Sequence, residues 1–445
     1  MFRFKSVKTK ILALSICAVF FVALAMTVII IAGKISLKND IGKELDEMAR
    51  NETGKIAKDV YLMARATNET LQSQLANNLR VIDNELKRNG LSFSEEKIMW
   101  NAVNQENKSS MQIELPAMMA GGQKISAGAT DGGGNSFVDG LQKMVGGTVT
   151  VFQRMNNSGD MLRVATTIID DNGKRAIGTY VPAVGKNGRS NEIIENILAG
   201  RTFNGVTHIM GEMYLVAYGP LFDVGGKVIG MTVAALRQDD FTSLRKGIMD
   251  IVVGKTGYVF VLDGTDKQKD DYIISYQGKR DGENIYDATD ADGKHFIHDM
   301  IEKGLAQTAG SVDFTRYAWK NQGETEARTK LTAVTYFEPW DWVIGAGVYE
   351  DDFYAANQRV ESALNGMILK GGIGAFLLLL IAAALSIVVA NQISNPLIKM
   401  VETANALAEG NTEQMIQVET EDEISKLGQA FVQLIDADKR LAKVA

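Results

Sequence analysis

The spacing of hydrophobic positions changes several times along this chain, and each change marks a different kind of element. Ile11–Gly33 and Gly371–Ala390 are apolar and carry no charge. Each is about as long as the roughly 20 residues a helix needs to cross a bilayer. Between Lys34 and Arg88 apolar residues recur at three- and four-residue steps: Ile41, Leu45 and Met48, then Leu71, Leu75, Leu79 and Ile82. The stretch has no proline and two glycines, Gly42 and Gly54. The spacing predicts one long amphipathic helix, weakest around Asn51–Lys58. Such a helix serves as a strut and dimer seam, or lies along its own domain.

From Thr148 the period falls to two. Thr148–Met155, Met161–Ile169 and Arg175–Val181 read as strands, punctuated by Asn156–Gly159 and Asp170–Gly173. Asn191–Leu198 has the helical step, and Glu212–Pro220 with Val228–Leu236 form a hairpin across Asp223–Lys227. Phe241–Val253 is expected to be a connecting helix. A second unit follows, with strands at Gly257–Leu262, Tyr272–Tyr276, Ser311–Trp319, Thr329–Phe337 and Trp342–Val348 and a helix at Lys294–Lys303. Gly121–Gly134, rich in Gly, Ser and Ala, reads as a surface loop. The fold class is therefore α+β: two successive, mostly antiparallel units behind one long helix.

Beyond the second apolar stretch, Pro396 precedes a seam at Leu397, Met400, Ala404 and Leu407. A second seam follows at Ile424, Leu427, Phe431 and Leu434. Gly410-Asn411 ends the first helix, and Asp422 and Glu423 sit where carboxylates favour a helix start. Two short helices cannot bury both seams alone, so a second chain completing a four-helix bundle is expected, giving a homodimer.

Charge sets the orientation. Arg3, Lys5, Lys8 and Lys10 precede the first span, which places the N-terminus in the cytoplasm, Lys34–Lys370 outside and the tail inside again. A cleavable signal peptide is the competing reading, disfavoured by the length of the run and by Ile29-Ile30-Ile31 at its end. The net charge of −7 gives no nucleic-acid footprint. The single cysteine, Cys17, excludes a disulfide within the chain. Three histidines are too few to argue for a metal, and His295 with His298 reads as a surface pair. No cofactor is expected. An enzyme is disfavoured because no Gly-x-Ser-x-Gly, P-loop or metal quartet is present.

Candidate ligand residues fall in both units. In the first, Arg154 and Arg163 are expected to face each other across a hairpin, with Thr166, Thr167 and Tyr180 nearby. The guanidinium fork matches a carboxylate, which suggests a small organic anion or an amino acid. The plain alternative is that these arginines are solvated or pair with Asp160, Asp170 or Asp171. In the second, Thr315, Tyr317 and Trp319 share a strand face. Tyr258 and Lys330 are expected on strands neighbouring it, as an anion cage or as core packing with a tethered lysine. Trp340 and Trp342 read as structural, holding the sheet near the membrane.

Pro396, Glu402, Ala408–Gly410 and Asp422–Ile424 resemble a HAMP domain, the signal converter of transmembrane receptors. Ser425 and Thr412 depart from its pattern, where glycine and an apolar residue are usual. Val138–Phe353 resembles the tandem (double) Cache sensor region, PAS-like in fold, of methyl-accepting chemotaxis proteins. That resemblance rests on Gly146–Arg154, Met161–Thr166, Arg175–Tyr180, Val253–Leu262 and Pro339–Tyr349. It implies a transmembrane chemoreceptor-type sensor of a small extracytoplasmic ligand, with Pro396, Glu402, Ala404, Asp422 and Glu423 relaying the signal. The expected layout is a cytoplasmic start at 1–10, a first span at 11–33 and a long helix at 34–88. A membrane-distal Cache unit at 89–239, a membrane-proximal one at 240–366, a second span at 367–390 and HAMP at 391–445 complete it. The family's methylated hairpin is absent before Ala445. Either that output domain lies beyond a truncation, or a partner supplies it. In the second case the alternative is a coreceptor or scaffold pairing through HAMP with a kinase or a full-length receptor.

Overall fold

The computed structural model describes residues 7–125, 136–170, 172–185, 188–265, 271–290, 292–321, 323–409 and 422–442. The chain divides into two compact units. One is Glu47–Asp352, which holds both sheets; the other is Met1–Asp46 with Phe353–Ala445.

The helical period that starts in the first apolar stretch runs unbroken through α1, Val7–Asn89. Within the sheet-bearing unit the buried face of α1 changes character. Ala49, Thr53, Gly54, Ala57, Val60 and Ala64 are buried first, then Leu75, Leu79, Ile82 and Leu86. The stripe that weakens in sequence at Asn51–Lys58 is thus a face of small residues, and the expected Met48 is exposed. Small side chains allow close approach: a Cβ on Gly54 would stand 3.5 Å from Phe314 and Val312. Nearby, Tyr61 meets Phe337 edge-on at 5.5 Å and Asn68 accepts from Trp340 Nε1 at 3.0 Å. Further along, Leu79 lies against Gly219, and Asn78 donates to the Val145 carbonyl at 2.9 Å. One helix buttresses both sheets.

The first sheet begins with a hairpin that hydrophobic spacing does not announce, β1 (Ser92–Asn104) and β2 (Ser110–Ala120), plus β3 (Gln123–Lys124). After α2 (Ser136–Val145) come β4 (Thr148–Arg154), β5 (Met161–Thr166) and β6 (Thr179–Val181). Then follow α3 (Glu192–Leu198), β7 (Phe203–Ile209), β8 (Glu212–Phe222) and β9 (Val228–Arg237). The strand order is β3-β2-β1-β6-β5-β4-β9-β8-β7, antiparallel except for the β1–β6 contact. The β6 strand is shorter than expected: Arg175 makes only an isolated bridge with Ile169, its side chain ion-paired with Asp139 at 2.7 Å and bonded to the Thr166 carbonyl.

The second sheet follows α4 (Thr242–Met249) and contains β10 (Val252–Val253), β11 (Gly257–Asp263) and β12 (Tyr272–Ile274). After α5 (Phe296–Leu305) come β13 (Asp313–Trp319), β14 (Arg328–Phe337) and β15 (Trp342–Tyr349). Its order is β10-β11-β15-β14-β13, with β12 on β11.

One turn device recurs: Asp170, Asp223 and Asp290 each accept from the backbone N–H groups two and four residues on. Gly173, Gly226 and Gly293 take the positive φ each of these turns requires. The rest of Gly121–Gly134 after Ile125, together with Asp171 and the connector from Gly410 to Glu421 with Thr412, lies outside the described residues.

The other unit contains α6 (Asp351–Ala408) from Phe353 onward and α7 (Glu423–Ala442). Lys38 pairs with Glu361 at 2.7 Å, Lys34 donates to Asn365 at 2.6 Å, and Ile30 approaches Gly371, so α1 and α6 run antiparallel here. Both helices are long and apolar enough to cross a membrane. On α7 the buried positions are Gly428 and Ile435, with Ile424 and Phe431 half-buried, while Leu427 and Leu434 are 51% and 67% exposed.

Candidate functional site

Strand alternation on β14 sends Lys330, Thr332 and Val334 toward α5. Lys330 stands opposite Tyr317 on β13 and Tyr349 on β15; Thr332 stands opposite Thr315 and Gly347. Gly347 is in turn opposite Tyr258 on β11. Tyr258 therefore does not neighbour β13, as expected from sequence, because β14 and β15 intervene. The missing side chain at Gly347 closes that gap. A Cβ there would overlap Lys330 Cε and the Thr332 hydroxyl. The lysine stem instead crosses the glycine, and Nζ sits 3.3 Å from the centre of the Tyr258 ring. Tyr349 and Phe260 follow at 5.3 and 5.4 Å.

Aromatic side chains close the box. Phe296 of α5 stacks on Tyr317 at 4.2 Å, and Tyr276 lies on Tyr258 at 4.5 Å. Asn321 joins the walls: its Oδ1 accepts from Tyr258 OH at 2.9 Å and Trp319 Nε1 at 3.0 Å, and its Nδ2 donates to Tyr349 OH at 2.7 Å. Arg280 lies over the Tyr272 and Trp319 rings and chelates Glu283 through two bonds of 2.7 Å. Tyr258, Tyr272, Arg280, Trp319 and Asn321 border a cavity of about 40 Å³, room for roughly one or two waters.

The electrostatics are one-sided. Lys330 is fully buried, and its Nζ has no hydrogen-bond partner among the described residues. Burial pulls its pKa well below the ordinary lysine value. Burial also pushes the phenols up, Tyr272 and Tyr349 to about 12 and Tyr258 well above its usual value. Protonated phenols thus surround the Lys330 side chain, and the carboxylates at the rim are engaged. Glu283 is held by Arg280, and Glu324 by Arg328 and Asn321. Such a lining suits an incoming anion.

The first sheet does not assemble the set expected of it. Arg163 stands opposite Phe152 and Arg154 opposite Met161, so the two arginines do not face each other. Arg154 pins a turn, donating to the carbonyls of Asn156, Asn157 and Val228 at 2.9, 2.8 and 3.3 Å. Tyr180 is opposite Leu162, which puts it on the other face from Arg163, bonded to Asn104. Thr166 shares a 2.7 Å bond with Thr150. Arg163 itself is 1% exposed and lies over the Phe152 ring. It donates to Thr179 Oγ1 at 2.8 Å and the Ala176 carbonyl at 3.3 Å. Burial lowers its pKa to about 10.

Elsewhere, His298 stacks on Tyr286 at 3.9 Å, and no group of three or more metal-capable side chains occurs among the described residues. Pro396 lies inside α6, Glu402 is exposed, and Ala404 is half-buried near the buried Met400 and Thr403. Asp422 caps α7 by accepting from Ile424 N at 3.0 Å, and Glu423 opens that helix. Sequence reasoning missed Asn321, Thr332, Gly347 and Tyr349. The Gly345-Ala346-Gly347 run inside a strand is the signal that marks a close approach.

Paired sheets on one helix, joined to two apolar helical segments and carrying a basic aromatic box, define a membrane-anchored tandem sensor module. The chain belongs to the Cache 3/Cache 2 fusion domain family, whose model matches residues 38–363, and a HAMP domain matches residues 388–437. The tandem Cache and HAMP resemblance is borne out, and the family match takes in the long helix as well. The chain is 31% identical over 157 residues to the methyl-accepting chemotaxis protein McpP of Pseudomonas putida, covering 34% of this chain and 27% of that protein. It is 31% identical over 115 residues to the sensor histidine kinase MctS of Rhizobium johnstonii, covering 26% and 23%. The sensory domain of the Campylobacter jejuni chemoreceptor Tlp3 aligns at 13% identity and TM-score 0.35, covering 70% of this chain and 96% of that one. The chain spans about a quarter of the length of the curated relatives it matches.

Proposed function

We propose that this chain is the sensing and relaying part of a transmembrane chemoreceptor. It holds a small monocarboxylate in the second sheet domain and passes the change in that domain to HAMP through α6. One observation carries the reading. A fully buried lysine, without a hydrogen-bond partner among the described residues, lies in an aromatic box, and β15 of that box leads within two residues into α6. Aromatic walls fit a short alkyl chain, and one amine fits one carboxylate. An amino acid fits less well, because its ammonium would enter a box whose neighbouring carboxylates already serve arginines.

The positive flank of the first span supports a cytoplasmic N-terminus and HAMP, with the sheets outside. Homodimerisation is supported by Leu427 and Leu434, apolar residues that one chain leaves exposed on α7. Binding moves the receptor only to the extent that the two signalling states differ in ligand affinity.

The test is a thermal-shift screen of the full chain in detergent against two- to four-carbon monocarboxylates, dicarboxylates and amino acids. A ligand of the native state raises the melting temperature by mass action. A monocarboxylate shift that Lys330→Met abolishes is the expected result. A shift that survives Lys330→Met and disappears with Arg163→Met would move the site to the first sheet.

A further inference from the structure

We infer that the box takes its carboxylate together with one proton, Lys330 being an amine when the site is empty and an ammonium when the ligand is in place. The inference rests on the ligand reading above and adds its pH regulation.

An ammonium needs acceptors on its three N–H bonds, and none of the described residues places one within hydrogen-bond reach of Lys330 Nζ. Its Nζ is enclosed and faces rings. The charged and titratable groups around it come from every packed element. Tyr317 on β13, Tyr349 on β15, Tyr258 on β11 and Tyr272 on β12 are phenols that burial keeps protonated. On α5, Asp299 is bonded to Lys303 and Thr315, and His298 is stacked on Tyr286. In the roof Arg280 holds Glu283, Asp281 is paired with Arg245, and Lys279 adds a positive charge at the cavity edge. Beside β14, Glu324 is shared between Arg328 and Asn321. Among the described residues no carboxylate stands free to neutralise an ammonium at this position.

The rings of Tyr258, Tyr349 and Phe260 supply the favourable contacts, Tyr258 the nearest. Burying an unpaired charge costs more than such ring contacts return, so the amine form prevails, in line with the lowered pKa. An incoming carboxylate reverses the balance by giving the ammonium a charge-assisted partner. The step balances: the carboxylate enters as the anion, the amine takes one proton from water, and the complex gains no net charge beyond that of the uncharged acid.

The experiment is calorimetric titration of the full chain in detergent with acetate, propionate and butyrate. Each is run in phosphate and in Tris, whose ionisation enthalpies differ, and repeated over about two pH units above neutrality. We expect uptake of close to one proton per ligand and a Kd that weakens about tenfold per pH unit. Binding with the same heat in both buffers and a flat Kd would overturn the proton uptake and leave the ligand site standing. No binding of any of the three acids would overturn both. Glu283→Gln should keep the proton uptake; its loss there would assign the proton to the roof carboxylate and overturn the role given to Lys330.

Discussion

Each sheet domain buries a basic side chain on the face away from α1, and the two are built differently. Arg163 in the first has fixed neutral acceptors, Thr179 Oγ1 and the Ala176 carbonyl, and lies over Phe152. Lys330 in the second has rings and no acceptor. Burial depresses both, but the guanidinium keeps its charge at about 10. Arg163 is tied to two oxygens through one terminal nitrogen, although its Nε has no partner among the described residues. Lys330, with no such bond, keeps free energy available for a ligand, and that difference supports the proposed division of a binding role in the second domain and a structural one in the first.

The sharpest way to break this contrast is Lys330→Met. Ligand affinity should fall at least a hundredfold, about 2.7 kcal/mol, while the empty protein should melt higher, because an unsatisfied polar group is replaced by an apolar one of similar length. A melting temperature that falls would show that the lysine already has a structural partner. The pH dependence has a definite sign. The native value lies below the ordinary 10.5, so between the two the unfolded chain binds more protons. The stability of the empty protein therefore rises with pH across that window and is lost as pH falls toward the native value. The slope reaches at most about 1.4 kcal/mol per unit. Subtracting the Lys330→Met curve removes the phenols, which titrate in the same range.

Arg163→Met is the mirror experiment. It should destabilise the first domain by about 1–3 kcal/mol, since Thr179 Oγ1 loses its donor and the Ala176 carbonyl keeps only the Thr179 hydroxyl. Monocarboxylate affinity should stay within about twofold of the parent value. A hundredfold loss of affinity instead would erase the distinction between the domains.

The members of the second domain's box were partly legible in the sequence, but the contrast between the domains was not. Alternation along Ser311–Trp319 put Thr315, Tyr317 and Trp319 on one face with Lys330 on a neighbouring strand, leaving an anion cage and core packing both open. Arg163 read as a ligand anchor, and the Asp170–Gly173 and Asp223–Lys227 turns were located. What the sequence concealed depended on register. A single bulge and pairing slip decides that Arg163 meets Phe152 and that Tyr180 faces away, and nothing local encodes either. The β1–β2 hairpin was hidden for another reason. Ser92–Asn104 mixes exposed and buried positions without strict alternation, so its period signal is faint. Asn321 was hidden because it lies between strands, where its role comes from three side chains brought together by the fold.

Gly347→Ala tests the geometry that brings Tyr258 over Lys330. The added methyl would collide with Lys330 Cε and the Thr332 hydroxyl, costing about 1–3 kcal/mol as overpacking and weakening monocarboxylate binding with it. Unchanged affinity in a folded Gly347→Ala protein would mean the lysine reaches its ligand by another path.

The smallest expected effect is that of Arg154→Ala, and it separates the two roles of buried and half-buried arginine in the first domain. Arg154 donates to three carbonyls around the Asn156–Gly159 turn, and water replaces part of what is lost at this half-buried position. The cost should be about 1 kcal/mol, read as a small drop in melting temperature. Ligand affinity and its pH dependence should not move. If Arg154→Ala weakened binding while leaving the melting temperature alone, the turn would belong to a ligand site in the first sheet, and the binding role assigned to the second domain would pass to the first.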